Sequence, residues 1–533
     1  MTHGRFLQEQ HGRTKPLDDM NILFTGLYPM WHCHYVAELN YIEKHLSLGD
    51  RVTLLRCDAD QLSCEANPKR ELAHCLRCIG IRQHGESLLS SKVKTAPLII
   101  EDFKNAVPTK FEVNVSTISE MKETHVAGFD IGSAVYSSLV DRTMSATPDL
   151  NIHRDLARDL FLDSYRIYLS AIRYLEEGRY DRVYVFNGRY AGARPWIRAC
   201  EKKKVSFFTH DKFSSPDRPT RFDCALPHIP AQYPRRILDF WESAEGNSAI
   251  VDQARDFFEE RPKGKLTGWV SFVDLQEKDM LPAGWDSSKK NIAIFSSTEW
   301  EFVSIKELME NALFPCQEDA CHYLITEVHK RDPEVCFYIR IHPNSSADKG
   351  RWWELPSIQN LAHCTIIPPE SSISSYALLQ ACDTSVTYIS TIGVEATYWG
   401  KPSIILAQAI YWGLDAVYEP KTREEALEML CSDLVPKPQT NALKYAAFLR
   451  CGGDELPHSE AVNYYTMTFK GQILEARQEV HAWLGACEKR SPASGWKKWL
   501  RDKRDRRHLK TLWKECDGWF AAESSGKEST AGR

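Results

Sequence analysis

Four polar clusters follow short apolar runs in this sequence, and each carries groups that bind or move charge. In YISTIGVEATYWGKPSII, an apolar run ends at Ser390 and Thr391 and a helix starts near Gly393. Hydroxyls and the unpaired amides of a helix start suit a phosphate. Gly393 lets the backbone approach a ligand, and Glu395 in the first turn can accept hydrogen bonds from a ribose. The plainer alternative is a capped helix without a ligand. In YIRIHPN, Arg340 and His342 share one face of a strand that Pro343 ends. Both suit a phosphate or a base, against the commoner case of a satisfied histidine and a surface arginine. In FSSTEWEF, Ser296 and Ser297 offer hydroxyls and Glu299 a carboxylate for general base work. An N-cap followed by first-turn acids explains the same letters. The fourth cluster lies in the first half, where His34, Asn187, Arg189, His210 and Asp211 fall at or after predicted strand ends. Asp211 or His210 would serve as a base for a hydroxyl, with ordinary loop polarity as the alternative for each.

Two further features carry chemistry. Cys57, Cys64, Cys75 and Cys78 are spaced C-x6-C-x10-C-x2-C. Four thiolates ending in CxxC suit a structural zinc, with an iron–sulfur cluster on the same ligands or four reduced core cysteines as alternatives. From Lys489 to Lys510 there are ten Lys/Arg against two Asp, interleaved with Trp496, Trp499 and Leu509, and Leu512 and Trp513 follow. A basic aromatic helix over 489–513 can lie on an anionic membrane surface, or pack its tryptophans on the body of the protein.

The elements that must position these groups follow a repeated pattern. NILFTG, RVTLL, RVYVF and VSFFTHD read as short buried strands with a helical stretch from Val36 to Leu46 and another at Arg194–Lys204. NIAIF, VCFYIRIHPN, CTIIPPE, TSVTYIS and PSIILA repeat the theme in the second half. The expected fold class is α/β, with two Rossmann-like domains, a helical linker and a helical C-terminal tail. Its expected spans are a loose 1–18, a first domain over 19–228 with the cysteine-rich insertion 57–78, and a Pro-punctuated helical linker over 229–288. A second domain follows over 289–440, then a helical return segment over 441–485, then a basic helix and disordered tail over 486–533. With 533 residues, 43% hydrophobic and 26% charged, the composition is globular, and a net charge of −5 argues against nucleic acid as a partner. No run reaches the roughly 18 apolar residues of a membrane span, and the N-terminus lacks a secretory apolar core, so the expected location is cytoplasmic, peripheral on the membrane if the basic helix docks there. In that compartment the 16 cysteines stay reduced or bind metal.

The segments CEANP…CLRC, FNGRYAGARPWIRACE, SFVDLQEKDMLP, NIAIFSSTEWEF, IRIHPN and STIGVEATYWGKPSI together resemble bacterial capsule and surface-polysaccharide biosynthesis proteins of the GT-B glycosyltransferase type. With flanking strands they span about 21 to 425. The resemblance implies transfer of a sugar from a nucleotide-sugar donor to a growing or lipid-linked glycan. In related enzymes that use CMP-sugars, an HP motif and a later serine motif grip the nucleotide, which maps to His342, Pro343, Ser390 and Thr391 here. The donor would sit on the second domain and the acceptor on the first, near His34, Asn187 and Arg189. After the FNGR helix the chain reads THDKFSS where an acidic residue followed by glycine is expected, and Asp211 stands in that place. A nucleotide-sugar epimerase and a non-catalytic scaffold in polysaccharide assembly are the rival readings.

Overall fold

A parallel strand buried on both faces needs an unbroken apolar run rather than an alternating one. The computed structural model describes residues 19–107, 115–212, 215–265, 272–305, 308–309, 312–348 and 350–476. In it such runs build two sheets. The first comprises β1 (Asn21–Phe24), β2 (Arg51–Arg56), β3 (Lys94–Pro97), β4 (Arg182–Phe186), β5 (Ser206–Asp211) and β6 (Thr220–Asp223), in the order β3-β2-β1-β4-β5-β6. Only β6 runs antiparallel, on the outer edge of β5. The second comprises β7 (Asn291–Phe295), β8 (Cys336–Arg340), β9 (Cys364–Ile367), β10 (Thr384–Thr387) and β11 (Ser403–Ile405). Its order is β11-β10-β7-β8-β9, with every pair parallel. Renumbered within each domain, both sheets read 3-2-1-4-5, the doubly wound arrangement. The two Rossmann-like halves expected from the sequence are therefore present.

Helices cover both faces of each sheet. Val36, Leu39 and Ile42 of the helix His32–Ser47 bury against Ile22, Phe24 and Leu54 on one face of the first sheet. The helices Ile131–Thr143, Arg154–Glu177 and Arg194–Lys203 cover the other, with Leu160, Phe161 and Trp196 fully buried. In the second sheet, β10 is polar in letters yet wholly buried. Two of its hydroxyls bond to backbone, Ser385 Oγ donating to the Pro402 carbonyl and Thr387 Oγ1 to the Phe295 carbonyl.

The helices Pro234–Ser243, Ser248–Glu260 and Gln439–Cys451 pack on one another through Tyr233, Phe257, Phe258, Tyr445 and Phe448. The chain then crosses back to the first domain. Arg221 of β6 makes a two-pronged ion pair with Asp454, at 2.6 and 3.0 Å, and Tyr41 donates to the same carboxylate at 3.0 Å. The return segment expected to be helical over 441–485 departs from that expectation after Cys451. It forms an antiparallel sheet of β12 (Ser459–Asn463), β13 (Thr466–Phe469) and β14 (Gln472–Ile473). The cause is local. Thr466, Met467, Thr468 and Phe469 alternate out and in, and Lys470-Gly471, both at positive φ, make a two-residue hairpin turn. Met467 and Phe469 reach zero exposure against the helix His32–Ser47. Among the described residues no helix is long and apolar enough to cross a membrane. The basic stretch 489–513, the tail 486–533 and the segment 1–18 lie outside the described residues.

The Arg221–Asp454 pair carries the return crossing. Removing the acid leaves a guanidinium that is only 16% exposed facing no carboxylate. Asp454→Ala is expected to cost about 2 kcal/mol, below the ~3–5 of a fully buried pair because Asp454 retains some solvent. Urea denaturation measures it, and a midpoint equal to that of the parent protein contradicts the account.

Candidate functional site

In a doubly wound sheet, connections leave in opposite directions where the strand order reverses, and a crevice opens at the carboxyl ends there. The reversals fall between β1 and β4 and between β7 and β10. The sequence-derived residues gather at these two places.

At the second reversal an open cleft is lined by Arg261, Lys265, Phe272, Ser296, Arg340, His342, Pro343, Ser390, Thr391 and Glu395, among others. Arg340 ends β8, is 2% exposed, and donates to the carbonyls of Pro368 and Ser371 and to Ser375 Oγ. These partners are neutral. Burial lowers its pKa to about 10, countered by Glu370 at longer range, so it remains charged near neutrality. His342 follows β8 and caps the 3-10 turn Pro343–Ala347, its Nδ1 accepting the Asn344 N–H at 3.1 Å. Burial first, then Arg340 and Arg261, lower its pKa to about 4. The ring is therefore neutral with Nδ1 as acceptor, and Nε2–H is the donor it retains. Ser296 Oγ accepts the His342 N–H at 2.8 Å and so fixes the strand end.

Several expected roles change on inspection. Gly393 and Ile392 direct their amides at the Ser390 carbonyl and Ser390 Oγ, so these first-turn amides are already engaged. Side-chain hydroxyls and cations are what this helix start offers an anion. Gly393 is small for packing, since a Cβ there would lie 2.7 Å from Tyr411 Oη and 2.9 Å from Thr387 Cγ2. Glu395 is 1% exposed with both oxygens taken. Tyr376 donates to Oε2 at 2.6 Å, while Thr391 Oγ1 donates to Oε1 at 3.0 Å and Arg261 pairs with it at 3.1 Å. It orients Arg261 rather than a ribose. Ser297 does not line the cleft. Its Oγ accepts the Ile389 N–H and ties β7 to the loop after β10. Glu299 also lies outside the lining, accepting from the backbone and side chain of Gln317.

At the first reversal the centre is Asp211. Its Oδ2 accepts from Asn187 Nδ2 and its Oδ1 from the Lys212 N–H, both at 2.8 Å. Burial raises its pKa to about 6, and those hydrogen bonds oppose the rise. His34 and His228 stand 3.8 and 3.9 Å away on either oxygen. Burial holds both imidazoles neutral, aided by Lys212 and His210 at His34 and by Arg189 at His228. Asn187 (φ +60°) and Gly188 (φ +92°) turn the chain sharply after β4 and aim the Asn187 amide at Asp211. His210, expected as an alternative base, is fully buried with Nε2 3.4 Å from Glu38 Oε1. Successive residues of β5 point to opposite faces, so His210 and Asp211 cannot both face the crevice. Arg189 joins the two regions, donating to the Glu301 carbonyl at 3.2 Å and Ser304 Oγ at 3.3 Å while lying 3.6 Å from Asp141.

Sequence reading missed Arg261 and His228. Each is a single residue in a Pro-containing stretch, ERPKG and LPHIP, and no spacing marks either.

Cys57, Cys64, Cys75 and Cys78 come within electrostatic reach of one another. Burial first, then neighbouring thiols, push Cys57 up to about 11 and Cys78 to about 12. Cys57 and Cys75 accept hydrogen bonds from Gln61 and Asn67. Among the described residues no group of three or more His, Cys, Asp or Glu side chains is arranged to hold a metal ion. The described residues therefore show no site for the expected zinc or iron–sulfur cluster.

Two doubly wound domains bearing polar clusters at their switch points define the GT-B type of architecture. No family model and no curated protein matches the chain. Among solved structures it is similar to the KpsC beta Kdo 2,4 transferase of Thermosulfurimonas dismutans, at 14% identity and TM-score 0.35 over 51% of this chain and 80% of that one. The KpsC beta Kdo 2,7 transferase of the same organism shows 15% identity and TM-score 0.33 over 59% and 88%. The UDP-GlcNAc 2-epimerase from Neisseria meningitidis bound to UDP-GlcNAc shows 14% identity and TM-score 0.24 over 82% and 95%.

Because Gly393 packs under Tyr411, Gly393→Ala is expected to destabilise by about 1–3 kcal/mol through overpacking. Tyr411→Phe in the same background should recover part of that loss. Thermal melts of the three variants decide it, and an unchanged melting temperature for Gly393→Ala contradicts the packing account.

Proposed function

We propose that this chain transfers a glycosyl group from a nucleotide-sugar donor, with a CMP-sugar as the first donor to try, to a surface or capsular polysaccharide acceptor at the cytoplasmic side of the membrane. The charge of the cleft at the second reversal carries the reading. Its lining holds three cations, Arg261, Lys265 and Arg340; Arg261 engages Glu395 and Lys265 pairs with Glu260 at 3.2 Å, while Arg340 contacts only neutral groups. A buried guanidinium whose contacts are all neutral is compensated best by an anion entering the cleft. A nucleotide phosphate supplies that charge, with Ser390 and neutral His342 as donors to its oxygens, while the Thr391 hydroxyl stays on Glu395. Phe272, edge-on to His342 at 5.7 Å, and Phe295 give the same cleft an apolar wall for a base or sugar.

The chemistry then divides between the switch points. The acceptor oxygen bonds to the anomeric carbon as the bond from that carbon to the donor phosphate breaks. The phosphate departs with the electron pair, and the acceptor proton passes to the Asp211 carboxylate. Cations already in place stabilise the departing charge without reorganising. A carboxyl with pKa about 6 is ionised at neutral pH and more basic than an exposed aspartate.

Titration with CMP, UDP and their sugar conjugates tests the donor half. Arg340→Met and His342→Ala should each weaken nucleotide binding by about tenfold or more. Equal affinity in calorimetry rejects the assignment. Incubating the protein with nucleotide sugar and glycan separates the rivals. Release of free nucleotide with a lengthened glycan supports transfer, an epimerised nucleotide sugar supports the epimerase, and binding of no nucleotide supports the scaffold.

The pH dependence follows from Asp211. Its base form is present above its pKa, so kcat/KM should rise with pH through about 6 and level off above it. Asp211→Asn should lower kcat by about 100-fold or more and abolish that limb. A variant that keeps the limb moves the base elsewhere.

A further inference from the structure

The returning strands bring an aromatic pair to the edge of the Asp211 cluster. The turn between β12 and β13 is closed by Asn463, whose Oδ1 accepts the Tyr465 N–H at 2.8 Å. It is pinned to the first domain at several points. Lys212, the residue after Asp211, donates to the Tyr464 carbonyl at 2.6 Å, and Cys33 Sγ lies 3.5 Å from the same oxygen. His32 Nδ1 accepts the Met467 N–H at 3.3 Å. The Lys212 ammonium also sits 3.7 Å from the centre of the Tyr464 ring and 5.2 Å from that of Tyr465. The two rings are 5.0 Å apart at 79°, so Tyr464 stands as a wall and Tyr465 presents itself to solvent at 58% exposure.

A single exposed aromatic needs no explanation. This one differs because its backbone is locked by the lysine that follows the candidate base, and because its neighbouring ring braces it. A tyrosine has few rotatable bonds, so a held ring loses little entropy on binding, and its face is apolar while its hydroxyl stays wet. Sugar rings present the matching surface, C–H groups on one face and hydroxyls at the rim. Lys212 spends one N–H on Tyr464, and its ammonium can offer another to a glycan oxygen or carboxylate.

We propose that Tyr465, braced by Tyr464 and Lys212, is a subsite for the acceptor glycan, stacking one sugar ring beside the residue to be extended. The proposal rests on the transferase reading for its purpose, but the binding itself is measurable without donor. A printed array of purified bacterial capsular and lipopolysaccharide oligosaccharides is probed with the full chain, and the best-bound oligosaccharide is titrated against variants. Tyr465→Ala should weaken that binding by about tenfold or more, Tyr465→Trp should retain it, and CMP and UDP affinities should be the same in all three. Melting temperatures within a degree or so of one another show that the turn mutants stay folded. Equal oligosaccharide affinity in Tyr465→Ala overturns the subsite, as does an array that binds nothing while nucleotide still binds. Tyr465-dependent glycan binding without nucleotide binding keeps the subsite and removes the transferase reading.

Discussion

A parallel sheet wound right-handed in both directions from its middle must leave one gap at its carboxyl edge, where successive connections diverge. This chain makes that gap twice, at β1/β4 and at β7/β10, with the same strand order in each domain. Everything polar that the candidate chemistry needs is found at these gaps because the fold cannot fill them. Strand ends arrive there with unpaired backbone, and Ser296, Asn187 and Asp211 occupy the first positions after or at the end of β7, β4 and β5. The apolar interior of each sheet, such as the fully buried NIAIF strand, is what makes those ends rigid enough to hold charge in place.

The sequence was most legible where burial is two-sided. Arg182–Phe186 and Asn291–Phe295 match the observed strands to the residue, since an apolar run of four behind one polar residue has no other satisfactory place. It was less legible where a motif has a local structural job as well. His342 caps a turn, Gly393 makes room for Tyr411, and Glu395 holds Arg261. These letters would be required with or without a ligand, so their spacing alone could not separate support from contact. It failed over 459–473, where a helix was expected. The alternation of Thr466 to Phe469 and the Lys470-Gly471 turn were present in the letters, and a period-two reading would have found them. Arg261 and His228 were beyond reach because only tertiary packing brings them to the gaps.

The tertiary contacts also join the two halves in a specific way. Arg261 reaches the second switch point from the short 3-10 turn that ends the linker helices, and it stays there because Glu395 and Thr391 hold it. The linker helices are themselves packed against Gln439–Cys451. A cation of the cleft is thus supplied by the segment that connects the domains. Arg189 is the counterpart on the other side, leaving the first switch point to meet the Glu301 carbonyl and Ser304 in the second domain.

These two arginines give domain arrangement a chemical meaning under the proposed transfer. A rotation about the linker would have to drag Arg261 from Glu395 or carry the second domain with it, and the former leaves a carboxylate at 1% exposure without its guanidinium. That cost is steep for a buried group, whereas Arg189 holds its partner through a carbonyl and a hydroxyl, which water can replace. Of the two arginine contacts, the Arg189 one is therefore the cheaper to break. Under the proposed transfer, an opening on that side would uncover the Asp211 cluster while the cationic cleft stays assembled, so that an acceptor exchanges without dismantling the proposed donor site.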